Sequence, residues 1–234
     1  QYADNYNSNA TVDDGSCSGY PDNGDYTLNF DGTNDYVSFS QSNNFDLVDE
    51  LTIVTTIRPE SFHFGAIVDR LPGAADSTGY RLSIRGGSDE SGKIWSSFGG
   101  ANSNDAAISD QNGYSINQWV SVAAVYKNSA YTKLYINGVL IQNASSNRSF
   151  NSDILLAIGK TSYNNSEYFD GEIDNVSIWN TELSASQLLS YSQENPSGNE
   201  TNLVALWKFN SGSGSLLYDH SGNSNHGTIN GASW

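Results

Sequence analysis

The sequence predicts an all-β protein: a two-sheet antiparallel sandwich of the jelly-roll type, with one short helix near residues 183–193. Two observations carry this prediction. Apolar and polar residues alternate in many short segments, which is the pattern of strands that bury one face. Gly, Asn and Asp cluster between these segments, where the chain has to turn. Many short strands joined in this way are typical of sandwiches and jelly rolls, so we expect one large domain over residues 25–234.

Nine segments alternate clearly enough to predict strands. They are YTLNF (26–30), DYVSFS (35–40), LTIVTTIR (51–58), YRLSIR (80–85), KIWSSF (93–98), WVSVAAVY (119–126), TKLYI (132–136), DILLAIG (153–159) and IDNVSIW (173–179). Asn137-Gly138 separates two apolar runs and predicts a two-residue hairpin turn. LSASQLLSYSQ (183–193) has helical spacing, and Thr181 is the predicted N-cap. Residues 201–234 are too few to bury a core of their own, so we expect them to complete the same sandwich.

Residues 1–24 differ from the rest and are expected to form an Asp/Asn-rich repeat fragment or a linker. They are polar and show no apolar alternation. Cys17 is the only cysteine, so it either pairs with a cysteine outside this chain or is free. The sequence contains no methionine, and we therefore expect the chain to be an excised or processed part of a larger protein with neighbouring domains.

The charge balance excludes two classes of partner. The chain has 26 acidic and 10 basic residues and a formal net charge of −16. Nucleic acid and anionic membrane surfaces both require clustered Lys and Arg. No apolar run reaches the roughly 20 residues of a membrane-spanning helix. The composition suits a secreted or cell-surface protein whose acidic loops are screened by salt or bind cations, although acidity that serves solubility alone is the simpler explanation.

Four stretches together resemble the laminin-G-like, concanavalin A-like jelly roll of secreted multidomain proteins. They are FDGTNDYVSF (30–39), the pair INQWVSVAAVY and TKLYINGVLI (116–126 and 132–141), GEIDNVSIWNTELSASQL (171–188) and LWKFNSGSGSLLYDHSGNSNHGTINGASW (206–234). The resemblance covers about residues 25–234. In many relatives the last stretch precedes the first. The order found here indicates a circular permutation or a final strand pair that returns beside the first, and in either case the ends of the domain are expected to lie close together.

The first twenty residues resemble a short repeat, NYNxxATxDDGSC, of secreted bacterial surface proteins. In that repeat a second cysteine usually lies upstream. Here the upstream cysteine is missing, which agrees with a boundary inside the repeat.

Glu172 and Asp174 stand two residues apart on a predicted strand, so their side chains share one face. The jelly-roll glucanases of the superfamily that this chain resembles carry the motif E-x-D-x-x-E. Retaining enzymes need two carboxyl groups about 5 Å apart. Here the third position is Ser177, and the acid/base is missing. The histidines show no zinc-binding spacing, and no G-x-S-x-G motif occurs. We therefore expect no catalytic residues and no enzyme activity.

Calcium binding is a better explanation for the acidic residues than catalysis, because calcium takes six to eight oxygen ligands. Asp31, Gly32 and Asp35 form a tight turn with two carboxylates, and Asp174 is expected on a strand beside it. The alternative is that Asp31 caps a turn and Asp174 is an ordinary strand residue. A second calcium could bind the N-terminal segment through Asp4, Asn5, Asn7, Asn9, Asp13 and Asp14, although their spacing is not that of an EF-hand.

Sugar binding is the third hypothesis, because saccharide sites combine aromatic rings with hydrogen-bonding polar groups. The chain has 14 Tyr, 9 Phe and 5 Trp. The candidate residues are Trp95, Tyr163, Tyr168, Phe62, Arg70 and Asn165. Trp119, Trp179 and Trp207 follow the strand alternation and are predicted to lie in the core.

The sequence therefore predicts a non-catalytic, extracellular recognition or adhesion module that binds a polysaccharide or glycan and holds a structural calcium. One alternative is an adhesin or spacer domain of a surface stalk that binds protein or no ligand. The other is a divergent glycanase.

Overall fold

The computed structural model describes residues 7, 9, 20–40, 45–47, 49–73, 78–87, 91–98, 106–148 and 154–234. Within these residues the chain forms fifteen strands and one helix. The strands are β1 (Leu28–Asp31), β2 (Tyr36–Phe39), β3 (Glu50–Pro59), β4 (Gly65–Arg70), β5 (Tyr80–Ile84), β6 (Ile94–Phe98), β7 (Ala106–Ile108), β8 (Val120–Lys127), β9 (Tyr131–Ile136), β10 (Val139–Ser145), β11 (Ala157–Ile158), β12 (Asp170–Trp179), β13 (Leu203–Trp207), β14 (Leu216–Leu217) and β15 (Gly227–Asn230). The helix is α1 (Ala185–Tyr191). Among the described residues no helix is long and apolar enough to span a membrane.

Two antiparallel sheets form the predicted jelly-roll sandwich, which is confirmed. The seven-stranded sheet has the order β1-β12-β3-β8-β9-β10, and β13 also pairs with β12. The eight-stranded sheet has the order β14-β15-β2-β11-β4-β5-β6-β7. The inner faces bury one large apolar core that includes Phe30, Phe98, Tyr126 and Trp207, each at most 1% exposed. Side chains at alternate positions of every strand therefore point away from this core.

The last strands complete both sheets. β13 pairs with β12 in one sheet, while β15 pairs with β2 in the other. Asn29 and Ser233 form an isolated antiparallel bridge. Residues 201–234 therefore belong to the same sandwich as residue 28 onward, and the last strands return beside the first, as predicted.

The hairpin turn is confirmed, but the helix begins later than predicted. Asn137 and Gly138 join β9 to β10, and both have positive φ (49° and 75°), as a type I′ turn requires. The N-cap of α1 is Ser184 and not Thr181, because Ser184 and Gln187 form a reciprocal capping box. The Thr181 carbonyl instead accepts a hydrogen bond from the Thr52 hydroxyl at 2.7 Å.

The helix covers a second, smaller apolar cluster on the outer face of the seven-stranded sheet. Trp179, Leu188, Leu203 and Leu206 lie in this cluster. Trp179 and Trp207 are buried as predicted, but the prediction for Trp119 is wrong because its side chain is 45% exposed. Trp119 precedes the first residue of β8, so the strand alternation does not apply to it.

Alternation did not predict β4 or β7. All six residues of β4 are buried, so this strand has no solvent-exposed face, and GAIVDR shows no apolar–polar alternation. The short strand β7 was also missed. In the predicted strand 153–159, the described residues form only the two-residue β11.

Candidate carbohydrate-binding face and metal sites

A row of directly paired residues crosses the outer face of the eight-stranded sheet. From β15 to β7 the row consists of Thr228, Ser38, Ala157, Asp69, Arg81, Ser97 and Ala106. Their neighbours Val68, Leu82 and Phe98 lie in the core. Successive side chains on a strand point to opposite faces, so the residues of the row all face outward.

The middle of this outer face is buried, unlike the solvated outer face of an ordinary antiparallel sheet. Asp69 is 0% exposed, Arg81 is 5% exposed and Ser97 is 1% exposed. A buried charge is costly unless it is paired and hydrogen-bonded. The arrangement of partners around these residues therefore determines what the face can bind.

Asp69, Arg81 and Glu167 form a buried ion network. The Arg81 guanidinium donates through Nε to Asp69 Oδ2, and its Nη1 lies 2.8 Å from Glu167 Oε2. Burial opposes the charge on Arg81, but the Asp69 and Glu167 carboxylates outweigh burial and raise the pKa of Arg81. Asp69 Oδ1 also accepts hydrogen bonds from the backbone N–H groups of Leu71 and Ser162, at 3.1 and 2.9 Å. The acceptor oxygens of Asp69 are therefore already occupied.

Four outward-facing residues of β5 and β6 each retain a buried polar atom that has no hydrogen-bond partner among the described residues. These atoms are Arg81 Nη2, Ser83 Oγ, Trp95 Nε1 and Ser97 Oγ. Arg81 is paired with Ser97, and Ser83 with Trp95. Cross-strand partners lie about 5 Å apart, and alternate residues of one strand lie about 7 Å apart. The four residues, which we call the β5–β6 patch, therefore form a compact rectangle.

Aromatic side chains border the patch on one side. The Arg85 guanidinium lies between the rings of Phe64 and Trp95, at 4.2 and 3.4 Å from their centroids. The Tyr114 hydroxyl donates to the Arg85 carbonyl oxygen at 3.2 Å. Phe62 is 44% exposed and packs beside Tyr114. This border offers an exposed ring and a fixed cation next to the patch.

The loop of residues 160–168 borders the sheet on the other side. Lys160 lies over the ring of Tyr36 at 4.2 Å and donates to Asn165 Oδ1 at 2.8 Å. Tyr163 is near enough to Arg81 to contribute to the raised pKa of that guanidinium. Burial, followed by the neighbouring Tyr36, raises the pKa of Tyr168.

Five of the six residues predicted to bind sugar therefore lie in the patch or in the segments beside it: Trp95, Phe62, Tyr163, Tyr168 and Asn165. Arg70 does not. Its side chain points away from this face and donates to the carbonyl oxygens of Ile154 and Phe45, at 2.9 and 2.5 Å, and to the Asp46 carboxylate. The assignment of Arg70 to the ligand site is corrected, because its donors hold two segments of the fold together.

Sequence reasoning missed Asp69, Arg81, Ser83, Arg85 and Ser97. A signal was present in YRLSIR and KIWSSF, where Arg81, Ser83, Trp95 and Ser97 occupy the polar phase of two alternating strands. Only the pairing of β5 with β6 places these residues side by side.

The predicted calcium site is not assembled as expected. Asp31 is paired with Asp170, whereas Asp174 is paired with Thr56. Asp170 and Asp174 are four residues apart on one strand, or about 13 Å. Asp31 Oδ1 accepts the backbone N–H of Thr33 at 2.8 Å, and Asp35 Oδ2 accepts that of Asp31 at 3.0 Å. These carboxylates thus cap their own turn, and Asp174 is not brought to Asp31, Gly32 and Asp35.

Asp174 instead lies in a notch of the seven-stranded sheet. β1 pairs with β12 only as far as Ile173, and β13 pairs with it only from Val176 onward. Between them Asn175 has a positive φ of 53° at an irregularity in the pairing with β3. Asp174 and Asn175 therefore occupy the point where two neighbouring strands part.

The notch contains two buried acceptor atoms, Asp174 Oδ1 and Asn175 Oδ1, that lack hydrogen-bond partners among the described residues. The other carboxylate oxygen, Asp174 Oδ2, accepts from Asn175 Nδ2 at 2.5 Å. Burial raises the pKa of Asp174 to about 7, and the nearby Asp25 and Glu172 carboxylates add to this increase. Free acceptors and carboxylates thus converge on the notch, where Glu172 is paired with Arg58 but Asp174 forms no ion pair with any described residue.

Within the described part of the chain, no group of three or more His, Cys, Asp or Glu residues is arranged to hold a metal ion. Of the predicted second calcium site, Asp4, Asn5, Asp13 and Asp14 lie outside the described residues. Asn7 and Asn9 are described, and the backbone N–H of Asn9 donates to Asn7 Oδ1 at 3.0 Å.

Comparison with known proteins gives a family and several structural neighbours. The sequence profile of the concanavalin A-like lectin/glucanases superfamily matches residues 31–189. A search of curated proteins gave no match. A candidate carbohydrate-binding protein from Bacteroides ovatus has a TM-score of 0.71 and 20% identity, over 88% of this chain and 58% of that protein. The chain thus spans less than two thirds of that protein.

Two smaller proteins share the fold. A heptameric SAP-like pentraxin from Limulus polyphemus has a TM-score of 0.57 and 19% identity, over 72% of this chain and 82% of the pentraxin. The CBM40 domain of a Ruminococcus gnavus IT-sialidase, bound to α2,3-sialyllactose, has a TM-score of 0.53 and 15% identity, over 71% of this chain and 97% of the domain. At these identities the likeness shows the fold alone.

Proposed function

The chain belongs to the concanavalin A-like lectin/glucanases superfamily, and from this premise we propose that it is a non-catalytic module that binds a polysaccharide or glycan. The β5–β6 patch is the observation that carries this proposal. Buried polar atoms are nearly always hydrogen-bonded, and each exception calls for an explanation. Four such atoms on adjacent strands, beside exposed and cation-stacked aromatic rings, suit a ligand rich in hydroxyl groups.

Two of the structural neighbours agree with this proposal in what they bind. The Bacteroides protein is described as a candidate carbohydrate binder, and the Ruminococcus domain holds a sialylated sugar. Both share the two-sheet fold with this chain, so the fold is compatible with glycan recognition. The residues that would perform it here come from this chain alone.

The second part of the proposal is that the module is not an enzyme. Glu172 Oε2 accepts from Arg58 Nε at 2.7 Å, and Asp174 is buried in the notch. A retaining glycosidase needs one free carboxylate as nucleophile and a second carboxyl as acid/base. Neither residue is arranged in this way.

We further propose a calcium ion in the notch, held by Asp174 Oδ1 and Asn175 Oδ1 with Asp25 nearby. Asp174 Oδ1 and Asn175 Oδ1 have no hydrogen-bond partner among the described residues, and calcium prefers such oxygen ligands. The ion would supply charge compensation where β1 and β13 part. This site replaces the predicted set of Asp31, Gly32 and Asp35 around Asp174.

An extracellular or cell-surface setting, with neighbouring domains in a larger protein, completes the proposal. The acidity of the chain, −16 overall, supports this setting because acidic surfaces are well screened in a salty medium. The alternative of a spacer or adhesin domain without a sugar ligand is separated by the experiment below.

The test is affinity gel electrophoresis and calorimetry with algal and plant polysaccharides. We expect at least one polymer to retard the wild-type chain, and Ser83→Ala and Ser97→Ala to weaken that binding. Removing a buried hydroxyl that has no partner should leave stability unchanged or slightly raised. The matched control is Ser96→Ala on the inner face of β6, where Ser96 Oγ lies 2.6 Å from Thr132 Oγ1. This variant should lose stability but keep binding. Binding to no polymer would favour the spacer alternative.

A further inference from the structure

Two connections between the sheets lie side by side at one end of the sandwich. Residues 60–64 join β3 to β4, and residues 109–119 join β7 to β8. The backbone N–H of Asn117 donates to the Pro59 carbonyl oxygen at 2.8 Å, so the two segments are in contact. We call these two segments the rim. Because each of them runs from one sheet to the other, the rim links the outer faces of both sheets.

The rim carries three exposed apolar side chains: Phe62 at 44%, Ile116 at 38% and Trp119 at 45%. Trp119 is also the most exposed of the five tryptophans. The other four each donate a hydrogen bond or lie under a guanidinium. The Trp119 side chain has neither kind of contact with another described residue. The packing of the sandwich therefore does not account for an indole at this position.

The backbone below these side chains is held by close packing. A Cβ atom on Gly86 would lie 2.6 Å from the Phe62 carbonyl oxygen, so the close approach of the 60–64 segment requires a glycine there. The backbone N–H of Tyr114 donates to the Gly92 carbonyl oxygen at 3.2 Å, which fixes the second segment on the β5–β6 hairpin. Segments that are fixed before binding lose little conformational entropy when a ligand binds.

The surroundings of Trp119 are polar. Ile57 is paired with Val120, so Trp119 lies opposite Arg58 in the antiparallel register. Two carboxylates hold the Arg58 guanidinium through Nε and Nη2, and its Nη1 lies 3.5 Å from Asn117 Oδ1. The centre of a protein–protein interface is depleted of charge, whereas saccharide sites place aromatic rings beside fixed hydrogen-bonding groups. These surroundings favour a sugar over a protein as the partner of Trp119.

The rim is continuous with the border of the β5–β6 patch. The rings of Phe62 and Tyr114 lie 5.6 Å apart, and the Tyr114 hydroxyl donates to the Arg85 carbonyl oxygen. Arg85 and Lys93, joined by a backbone hydrogen bond of 2.9 Å, are two basic residues at this end of β5 and β6. Packed sheets lie about 10 Å apart, so a ligand that extends from this border to Trp119 is a chain of sugar residues and not a single ring.

We infer that the rim is a binding surface for a polysaccharide chain, with Trp119 and Phe62 as the rings on which the chain packs, and that the module binds an extended segment of the polymer. This inference rests on the proposed function and adds a second contact area and the length of the ligand.

The experiment uses the intact chain with laminarin, xyloglucan, mannan and alginate in affinity gels. Oligosaccharides of increasing length from each polymer that binds are then compared by calorimetry. We expect affinity to rise with oligosaccharide length, and Trp119→Ala and Phe62→Ala each to weaken binding to the polymer by about tenfold. The matched control is Tyr26→Ala, which removes a ring that is 42% exposed but lies outside the rim, and it should keep the affinity of the wild type. Thermal melts of the three variants would show that each is folded.

The outcomes separate this inference from the proposed function. Binding to a polymer that is unchanged in both Trp119→Ala and Phe62→Ala would overturn the inference and leave glycan binding intact. An affinity for the monosaccharide equal to that for the polymer would do the same, because a single ring would then be the whole ligand. An equal loss of binding in Tyr26→Ala would show that the rim has no special part in it. Binding to no polymer would overturn the proposed function itself.

Discussion

Arg58 on β3 and Glu172 on β12 are direct cross-strand partners, and their side chains form an ion pair with Nε 2.7 Å from Oε2. The same guanidinium lies 3.2 Å from Glu60 Oε1 through Nη2. Glu172 is therefore part of a partly exposed charge network on the outer face of the seven-stranded sheet. The two carboxylates of GEIDNVSIWN share a face, as the sequence predicted, but each has a separate environment.

The first prediction is that the chain has no glycoside hydrolase activity, in the wild type or in Glu172→Gln. Release of reducing ends from the polysaccharides of the binding panel is the measurement. The substitution should change the free energy of unfolding by no more than about 1 kcal/mol, because partly exposed ion pairs contribute little. Sugar release by the wild type that disappears in the variant would show that Glu172 is catalytic.

The second prediction concerns the last strands: removing residues 201–234 should unfold the whole domain. The deletion would remove β13 from one sheet and β14 and β15 from the other. Trp207 is one of several fully buried residues in this segment, and replacing such a side chain with Ala costs about 3–5 kcal/mol of a total stability near 5–15 kcal/mol. Circular dichroism and thermal melts would detect the loss.

Point variants give this prediction a control that does not depend on a truncated chain. Trp207→Ala should lower the melting temperature strongly, whereas Trp119→Ala should have little effect because Trp119 is 45% exposed. A truncated chain that still melts cooperatively near the wild-type temperature would refute the prediction.

The third prediction tests the proposed calcium. EDTA should lower the melting temperature and added calcium should restore it. An ion at a hundred times its dissociation constant contributes about 2.7 kcal/mol, or roughly 5–10 °C for a domain of this size. Asp174→Asn should abolish the response to calcium, and Asp25→Asn should weaken it.

Asp31→Asn distinguishes the notch from the site predicted by the sequence. Asp31 caps its own turn and lies opposite Asp170, so this variant should keep the full calcium response. If neither EDTA nor added calcium changes the melting temperature of the wild type, the proposed calcium site does not exist. If the calcium response is lost in Asp31→Asn but kept in Asp174→Asn, the calcium site lies at the Asp31–Asp35 turn and not in the notch.

The fourth prediction is a loss of stability between pH 7 and pH 4 that depends on His220. The His220 ring lies edge-on to Tyr20. Burial, followed by repulsion from Lys208, lowers the pKa of His220 to about 4. The unfolded chain binds a proton at this residue below about pH 6.5 and the folded chain does not, so stability falls as the pH falls through this interval.

The expected contribution at pH 5 is at most about 2 kcal/mol, reduced by the partial exposure of the ring. Chemical denaturation at pH 7 and pH 5 measures it. His220→Gln should show a smaller loss than the wild type, while His63→Gln, in an exposed position, should behave like the wild type. Because other acidic groups titrate equally in all three proteins, equal losses would show that His220 does not contribute.

The sequence predicted most strands because those strands bury one face only. LTIVTTIR and IDNVSIW became β3 and β12, and Asn137-Gly138 became the turn between β9 and β10. Alternation and turn chemistry are local properties, so they can be recognised without knowing the partner strands. The strand β4 was not predicted, because it is buried on both faces and its residues do not alternate.

The sequence by itself determined the fold class, the acidity and the absence of a complete glucanase motif, since each depends on composition or on residues close together in the chain. The tertiary structure decided which side chains meet. The pairing of β5 with β6 brings Arg81 to Ser97 and Ser83 to Trp95, and the pairing of β12 with β1 sets Asp170, and not Asp174, opposite Asp31. Strand register over long separations is determined by the packing of the whole core, and a shift along a strand changes every partner. For that reason the β5–β6 patch and the notch at Asp174 could be identified only from the tertiary structure.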